Sequence, residues 1–299
     1  MRYSLGSEWL FTKFYCGPAS ADTILADTIA PLIERFQSSK AIHSWFFVRY
    51  ADPERHLRIR FRGNPEVLRT EVLPAIVGEV ETVIARKLSW RFQVDTYLPE
   101  TDRYGGPVAI AHAEQVFWAD SEACLAALPE LRGDEGAQSR WRVALVGIDS
   151  LLTDLGFAMD ARCQVVTSLR DGLRREFDVE SPLVSRRVAA LVRREKSWLY
   201  DLVTGRPVAG VPVRVLDAFR IRSDRVATEA AIVRDLAERA ALSRSIEGIG
   251  ASLVHMHMNR LLRDSHRAQE GVLYHLLRQA YVSCSSRLQR AEASARTAG

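Results

Sequence analysis

The chain has 299 residues, of which 47% are hydrophobic and 26% charged, and a net charge of +4. That is length enough for a full core in one large domain or two, and an ordinary composition for a soluble globular protein. So small a net charge argues against a general nucleic-acid binder, and the absence of any apolar signal core or long uncharged apolar run points to a cytoplasmic protein with no membrane engagement.

In chain order, Glu8 to Cys16 reads as a first strand ending at Gly17-Pro18. Ser20 or Asp22 then caps a helix whose apolar positions Ile24, Leu25, Ile29, Leu32, Ile33 and Phe36 follow helical spacing, with Pro31 expected to kink it. Two strand-like runs follow, Trp45 to Tyr50 and His56 to Arg62, joined by a charged turn carrying Asp52-Pro53. In the second run Leu57, Ile59 and Phe61 alternate with His56, Arg58, Arg60 and Arg62. Period-2 geometry therefore puts the apolar side chains on one sheet face and the basic ones on the other. Such a row of arginines suits carboxylates or phosphates through its bidentate donors. It equally suits a solvated edge strand, where arginine blunts edge-to-edge pairing.

A second amphipathic helix runs from Val67 to about Lys87, and Trp90 to Tyr97 alternates again as a strand. Strand, helix, hairpin, helix, strand is an α+β layout with a mainly antiparallel sheet and helices on one of its faces. Beyond Gly105-Gly106 the chain becomes mostly helical. Helices are expected over Ile110–Leu128, with a break at Asp120-Ser121, and over Arg140–Gly156, Asp160–Phe177, Ser185–Tyr200, Ser223–Leu242, Ala251–Arg263 and Gln269 to about Leu288. Lys196 to Asp217, rich in Gly and Pro, reads as a long loop. The whole is taken as one domain, 1–299, with a sheet half over 1–108, a helical half over 109–290 and a fraying tail over 291–299.

Besides the arginine hairpin, three places concentrate reactive side chains. Pro99 to Gly106 follows a strand and sets Glu100 and Arg103 three apart, an i,i+3 pair if the turn is helical, with twin glycines that let the backbone approach a ligand; a capped turn with an exposed ion pair explains the same residues. On a helix through Ser252 to Leu262, His255 and Asn259 share one side, while His257 lies about 200° round and cannot serve the same site. A histidine in this setting also reads as a satisfied core residue. His112-Ala113-Glu114 lacks the Pro-Cys-x-x-Cys partner of a zinc deaminase and is set aside. Cys16, Cys124, Cys163 and Cys284 form no Cys-x-x-Cys pair, so buried free thiols are expected rather than disulfides or zinc. No Walker loop, Gly-x-Gly-x-x-Gly, His-Glu-x-x-His or Gly-x-Ser-x-Gly is present.

Taken together, Trp45-Phe46-Phe47-Val48-Arg49-Tyr50, His56-Leu57-Arg58-Ile59-Arg60-Phe61, Asp95-Thr96-Tyr97, Glu100-x-x-Arg103-Tyr104-Gly105-Gly106, Asp120-Ser121 and His255-Met256-x-x-Asn259-Arg260-Leu261 occur in an order that resembles the C-terminal domain of class I lantibiotic dehydratases, also called the thiopeptide-type bacteriocin biosynthesis domain. The resemblance spans nearly the whole chain. In that family a glutamylation domain esterifies Ser or Thr of a precursor peptide with glutamate from glutamyl-tRNA, and the C-terminal domain eliminates the glutamate to leave dehydroalanine or dehydrobutyrine. The chain has no room for the glutamylation domain, so it resembles the stand-alone elimination subunit of a split dehydratase.

The resemblance implies a lyase in which Arg58, Arg60 and Arg103 match glutamate-site arginines, Glu100 matches the acidic site residue and His255 the essential histidine. Of these, His255, Arg58 and Arg103 are the expected catalytic residues. Arg60 and Glu100, with His56 and Asn259, are the expected substrate-binding residues. No metal or organic cofactor is required. The implied partners are a glutamylated precursor peptide and a separate glutamylation subunit that uses glutamyl-tRNA, with no direct nucleic-acid contact; a homodimer is consistent with related enzymes. A related branch performs the formal (4+2) cycloaddition that builds the thiopeptide pyridine ring, and a non-catalytic peptide-binding scaffold is a third alternative. Retention of Arg58, Arg60, Glu100, Arg103 and His255 together favours elimination.

Overall fold

The computed structural model describes residues 1–177, 182–264 and 266–297. Four strands, β1 (Trp9–Tyr15), β2 (Ser44–Tyr50), β3 (His56–Arg62) and β4 (Arg91–Asp95), form one antiparallel sheet in the order β2-β3-β1-β4. The arginine-bearing strand β3 is therefore central, paired on both sides, and the solvated-edge explanation of its arginines does not hold.

The register fixes the two faces. Ile59 stands opposite Thr12 and Phe47, and Leu57 opposite Phe14, whereas Arg60 stands opposite Phe11 and Phe46, and Arg58 opposite Lys13 and Val48. Trp45, Phe47, Leu57, Ile59, Phe61 and Phe14 are all fully buried. They form the core with the N-terminal helices, as in the edge-on contact of Phe36 with Phe61. Each such aromatic or branched side chain contributes roughly 2–3 kcal/mol on burial, so the alternation in β3 makes a one-residue slip prohibitive.

Helices α1 (Pro18–Ile24) and α2 (Ala30–Ser38) are joined by a π-helical turn, Leu25–Ile29, and α3 (Pro65–Val67) and α4 (Leu73–Ala85) by another, Leu68–Val72. Both wide turns stand immediately before a proline at the second position of the next helix, Pro31 and Pro74. Proline lacks the N–H of an ordinary turn and its ring displaces the carbonyl four residues back, and the wider turn absorbs both effects without ending the helix. The 3₁₀ turn Thr101–Tyr104 is closed by Gly105 and Gly106, both at positive φ, 93° and 103°.

The helical half comprises α5 (Ile110–Ala127), α6 (Gly133–Asp154), α7 (Met159–Phe177), α8 (Pro182–Arg194), α9 (Lys196–Val203), α10 (Val213–Glu238), α11 (Ile246–Leu261) and α12 (His266–Thr297). Several boundaries differ from the expected ones. Asp120-Ser121 does not break α5; both side chains are buried and bonded, so the polar pair is an internal fastening. The expected helix over Ser185–Tyr200 is two helices that part at Glu195. The expected loop over Lys196–Asp217 holds α9 and the start of α10. Leu199, Leu202 and Val203 are buried, and Val215, Phe219, Arg222, Val226, Ala230 and Val233 form a buried stripe that starts just after Pro212. Gly and Pro set only the short link between them. Helix α11 starts earlier than expected because Ser245 caps it, its hydroxyl accepting from the Gly248 N–H at 3.2 Å. Helix α12 continues past Leu288 to Thr297, and residues 298 and 299 of the expected tail lie outside the described residues.

A buried charge cluster ties three helices of the helical half, α5, α10 and α11, to one another. Asp120 on α5 receives Arg222 at 2.9 Å, Arg260 at 3.0 Å and the Nδ1 of His257 at 2.8 Å. Burial works against the Asp120 carboxylate, but His257 and the two guanidiniums more than offset it, and the carboxyl is held well below the usual carboxylate range. Asp120, Cys124 and His257 lie within 4.8 Å of one another, a spacing compatible with a metal ion. With an arginine on each oxygen of Asp120 the local field already repels a cation, and the cluster reads as structural. The cysteines are free: Cys16, Cys124 and Cys284 are buried and Cys163 partly so. Among the described residues no helix is long and apolar enough to cross a membrane.

Candidate active site

Strand β2 is an edge of the sheet, and its outward backbone groups are not left to solvent. The Phe47 N–H donates to Ser121 Oγ at 3.2 Å, and the Phe47 carbonyl accepts from Arg260 Nε at 3.0 Å. Asn259 accepts from the Arg49 N–H at 2.8 Å and donates to the Arg49 carbonyl at 2.7 Å. Side chains of α5 and α11 thus take the place of a fifth strand, and α11 is held where His255, one turn before Asn259, reaches the basic face of the sheet.

On that face a small cleft of about 130 Å³ is lined by Arg58 and Arg60 from β3, Glu100 and Arg103 from the 3₁₀ turn, and His255 and Asn259 from α11. Six of the seven residues expected from the sequence therefore share one cavity. His56, the seventh, lies outside it and lines a larger adjoining cavity of about 1020 Å³, which also reaches Tyr50, His255 and Asn259. Its ring joins the site indirectly: Nδ1 donates to the Glu54 carbonyl at 2.7 Å, and Nε2 accepts from Arg58 Nε at 2.9 Å. Burial, with the neighbouring Arg58, Lys13 and Arg91 charges, pushes the His56 imidazole below its ordinary value and keeps that nitrogen an acceptor. Tyr50 completes the clamp, its ring centroid 3.4 Å from the Arg58 guanidinium carbon.

Arg60 is the most unusual group in the cleft. It is 8% exposed, its guanidinium carbon lies 4.3 Å from the Phe11 ring centroid, 4.7 Å from Tyr97 and 5.1 Å from Phe46, and its Nε is buried without a partner. Neither Arg60 nor Arg58 forms an ion pair with a carboxylate among the described residues, although both face the cavity. Burial brings Arg60 down to about 10 from its ordinary value. Beneath it Tyr97 donates to Glu114 at 2.7 Å, and burial pushes both groups up; Glu100 and Glu114 favour the Arg60 charge from a distance without forming an ion pair with it. Arg103 pairs with Glu100 at 2.8 Å, the i,i+3 contact expected from the sequence. The cleft thus offers two carboxylate-free arginines and one ion pair that presents both signs.

His255 is partly buried, with its Nδ1 3.1 Å from Glu270 Oε2 on α12. His257, two residues on, is fully buried and faces Asp120 instead, as the helical phase requires. Asn259 is more a fastener than a ligand, because its amide is engaged with the Arg49 backbone. Glu270 was not singled out from the sequence, though a signal existed: it is the one charged member of the apolar stripe Glu270, Leu273, Tyr274, Leu277 and Tyr281, all buried.

An antiparallel four-stranded sheet with helices behind it, carrying an arginine-lined cleft that a C-terminal helix completes with a histidine, defines an α+β protein built around a basic sheet face. The chain belongs to the family described as the lantibiotic biosynthesis dehydratase C-terminal domain, whose model matches residues 9–281. It is 23% identical over 266 residues to the subtilin biosynthesis protein SpaB of Bacillus subtilis, covering 89% of this chain and 25% of SpaB. It is 28% identical over 120 residues to the nisin biosynthesis protein NisB of Lactococcus lactis subsp. lactis, covering 39% of this chain and 11% of NisB. The chain thus spans about a quarter or less of the length of these relatives. In fold it resembles the tRNA-dependent lantibiotic dehydratase MibB from Microbispora sp. 107891, with a TM-score of 0.76 and 24% identity over 96% of this chain and 29% of MibB. It also resembles TbtD, the pyridine synthase from thiomuracin biosynthesis, with a TM-score of 0.67 and 16% identity over 93% of this chain and 98% of TbtD.

Proposed function

We propose that the protein eliminates glutamate from glutamylated Ser or Thr residues of a precursor peptide, leaving dehydroalanine or dehydrobutyrine. The observation that carries this reading is the pair Arg58 and Arg60, cationic and without a carboxylate partner, in one small cleft with His255. A buried guanidinium is costly unless an anion compensates it, and a departing glutamate supplies two carboxylates and an ammonium group. The arginines suit the carboxylates, and Glu100, already paired with Arg103, suits the ammonium.

In the elimination, His255 removes the Cα proton of the esterified residue, the electrons of that C–H bond form the Cα=Cβ double bond, and the Cβ–O bond breaks with its electron pair on the leaving carboxylate. Negative charge accumulates on the enolate and then on the leaving group, where Arg58, Arg60 and Arg103 stabilise it. The adjoining cavity of about 1020 Å³, which shares Tyr50, His255 and Asn259 with the cleft, is where the peptide around the modified residue would lie. Glutamylation would be the task of a different domain or subunit.

The test is direct. Incubation with a chemically glutamylated peptide is expected to release glutamic acid, seen as the corresponding mass loss, from the wild type and not from His255→Ala or Arg58→Ala. No mass loss with the wild type in the presence of the cognate glutamylating partner sinks the reading. Likeness in fold to the pyridine synthase favours a second one, in which a bis-dehydroalanine peptide is cyclised to a pyridine. That reaction handles no glutamate and gives the unpaired arginines no anion to bind; a cyclised product without glutamate release would establish it.

A further inference from the structure

Glu270 is fully buried on α12, and a buried carboxylate must find donors. Its Oε2 is approached by three: Nδ1 of His255 at 3.1 Å, the Tyr274 hydroxyl at 3.4 Å and Nη1 of Arg267 at 3.5 Å. Its other oxygen, Oε1, is buried without a partner. The three donors therefore converge on one oxygen, and that oxygen faces the candidate proton-transfer residue.

We infer that Glu270 is a positioning residue that fixes the His255 imidazole with hydrogen on Nδ1 and leaves Nε2 to exchange the proton with substrate. An unprotonated Nδ1 would set its lone pair against the carboxylate lone pairs, which the 3.1 Å contact does not allow without repulsion. Nε2 makes no hydrogen bond among the described residues, and the ring stands where the cleft and the larger cavity meet. A carboxylate behind an imidazole orients the ring and stabilises the imidazolium that forms once the proton is taken. Glu270 is also on a different helix from His255, so α12 becomes part of the site although none of its residues lines the small cleft.

The kinetic part of this inference rests on the elimination reading, whereas the tautomer does not. Selective ¹⁵N-histidine NMR on the wild-type protein is expected to give His255 the shift pattern of an Nδ1–H ring, and Glu270→Gln, whose amide can offer either a donor or an acceptor, a mixture of tautomers. On a glutamylated peptide, Glu270→Gln is expected to lower kcat about 10- to 100-fold with KM within about twofold, as loss of a partner that orients a histidine does elsewhere. A wild-type Nε2–H ring would overturn the assignment even if the variant failed to fold. So would a folded Glu270→Gln protein with unchanged kcat, which would leave Glu270 only the task of pinning α12 to α11. An Nδ1–H ring in a wild type that releases no glutamate would keep the assignment and sink the elimination reading.

Discussion

Asn259 on α11 and Arg49 on β2 bond as two strands of a sheet would, through one donor and one acceptor on each side, at 2.8 and 2.7 Å. Asn259→Ala leaves both polar groups of the Arg49 backbone unsatisfied in a buried setting, and the expected cost is about 2 kcal/mol, or roughly 5 °C in Tm. Asn259→Asp keeps the acceptor but turns a carboxylate towards the Arg49 carbonyl, and should lose at least as much. In both variants activity should fall further than stability at assay temperature explains, because His255 rides on the same helix. A melting temperature equal to wild type in both would show that this pair does not hold α11.

Arg60 separates stability from function in the opposite direction. It is buried among three aromatic rings with no carboxylate partner, so the folded protein bears its desolvation cost. Arg60→Met removes the charge and keeps an unbranched apolar stem, and should raise stability by about 1–3 kcal/mol while abolishing glutamate release. Thermal denaturation and the mass-loss assay on one preparation check both halves. A drop in Tm would mean that the charge is compensated in the free protein and that the cleft is not waiting for an anion.

The period-2 alternation in β3 was enough to assign Leu57, Ile59 and Phe61 to the core and the arginines to the other face, because a strand has only two sides. The same sequence could not say that β3 is central, since strand order depends on pairings between distant segments. Glu100 and Arg103 were legible as a pair because three residues of local chain set their distance. Glu270 was not, because its partner His255 is on another helix and nothing local links them. Helix α9 as a separate element and the first turns of α10 were obscured by the Gly and Pro of the link between them, although the stripe Val215, Phe219, Arg222, Val226 already carried the signal.

Gly147, in the middle of α6, makes the same point as a prediction. By propensity alone, Gly→Ala inside a helix gains about 1 kcal/mol. Here a β-carbon at residue 147 would lie 2.1 Å from Nε2 of His257 and 2.5 Å from its Cε1, so the glycine is what lets α6 approach the buried imidazole. Gly147→Ala should therefore destabilise by about 3 kcal/mol or more, since His257 cannot move without leaving Asp120. A stabilised variant would show that the α6 to α11 spacing is looser than this.

His257 also gives stability a pH dependence of definite sign. Burial pushes its imidazole below the ordinary histidine value, so the folded protein keeps it neutral, donating Nδ1–H to Asp120. In the unfolded chain it titrates near 6.5, and below that pH the unfolded state takes up a proton that the folded state refuses. Its contribution to stability is thus fully present above about pH 7 and is lost as pH falls, by up to about 1.4 kcal/mol per pH unit. His56 and His275, also lowered by burial, act in the same direction. Glu114, Asp149 and Asp154, raised by burial, act in the other, gaining stability as pH falls towards the carboxylate range. A difference measurement cancels all five. His257→Gln should be less stable than wild type at pH 7.5, and the gap should narrow as the pH falls to 5.5, because only the wild type has an imidazole at residue 257 to protonate on unfolding. Denaturant titrations of the two proteins at both pH values decide it: a gap that stays constant means that His257 is protonated as readily in the fold as in the unfolded chain.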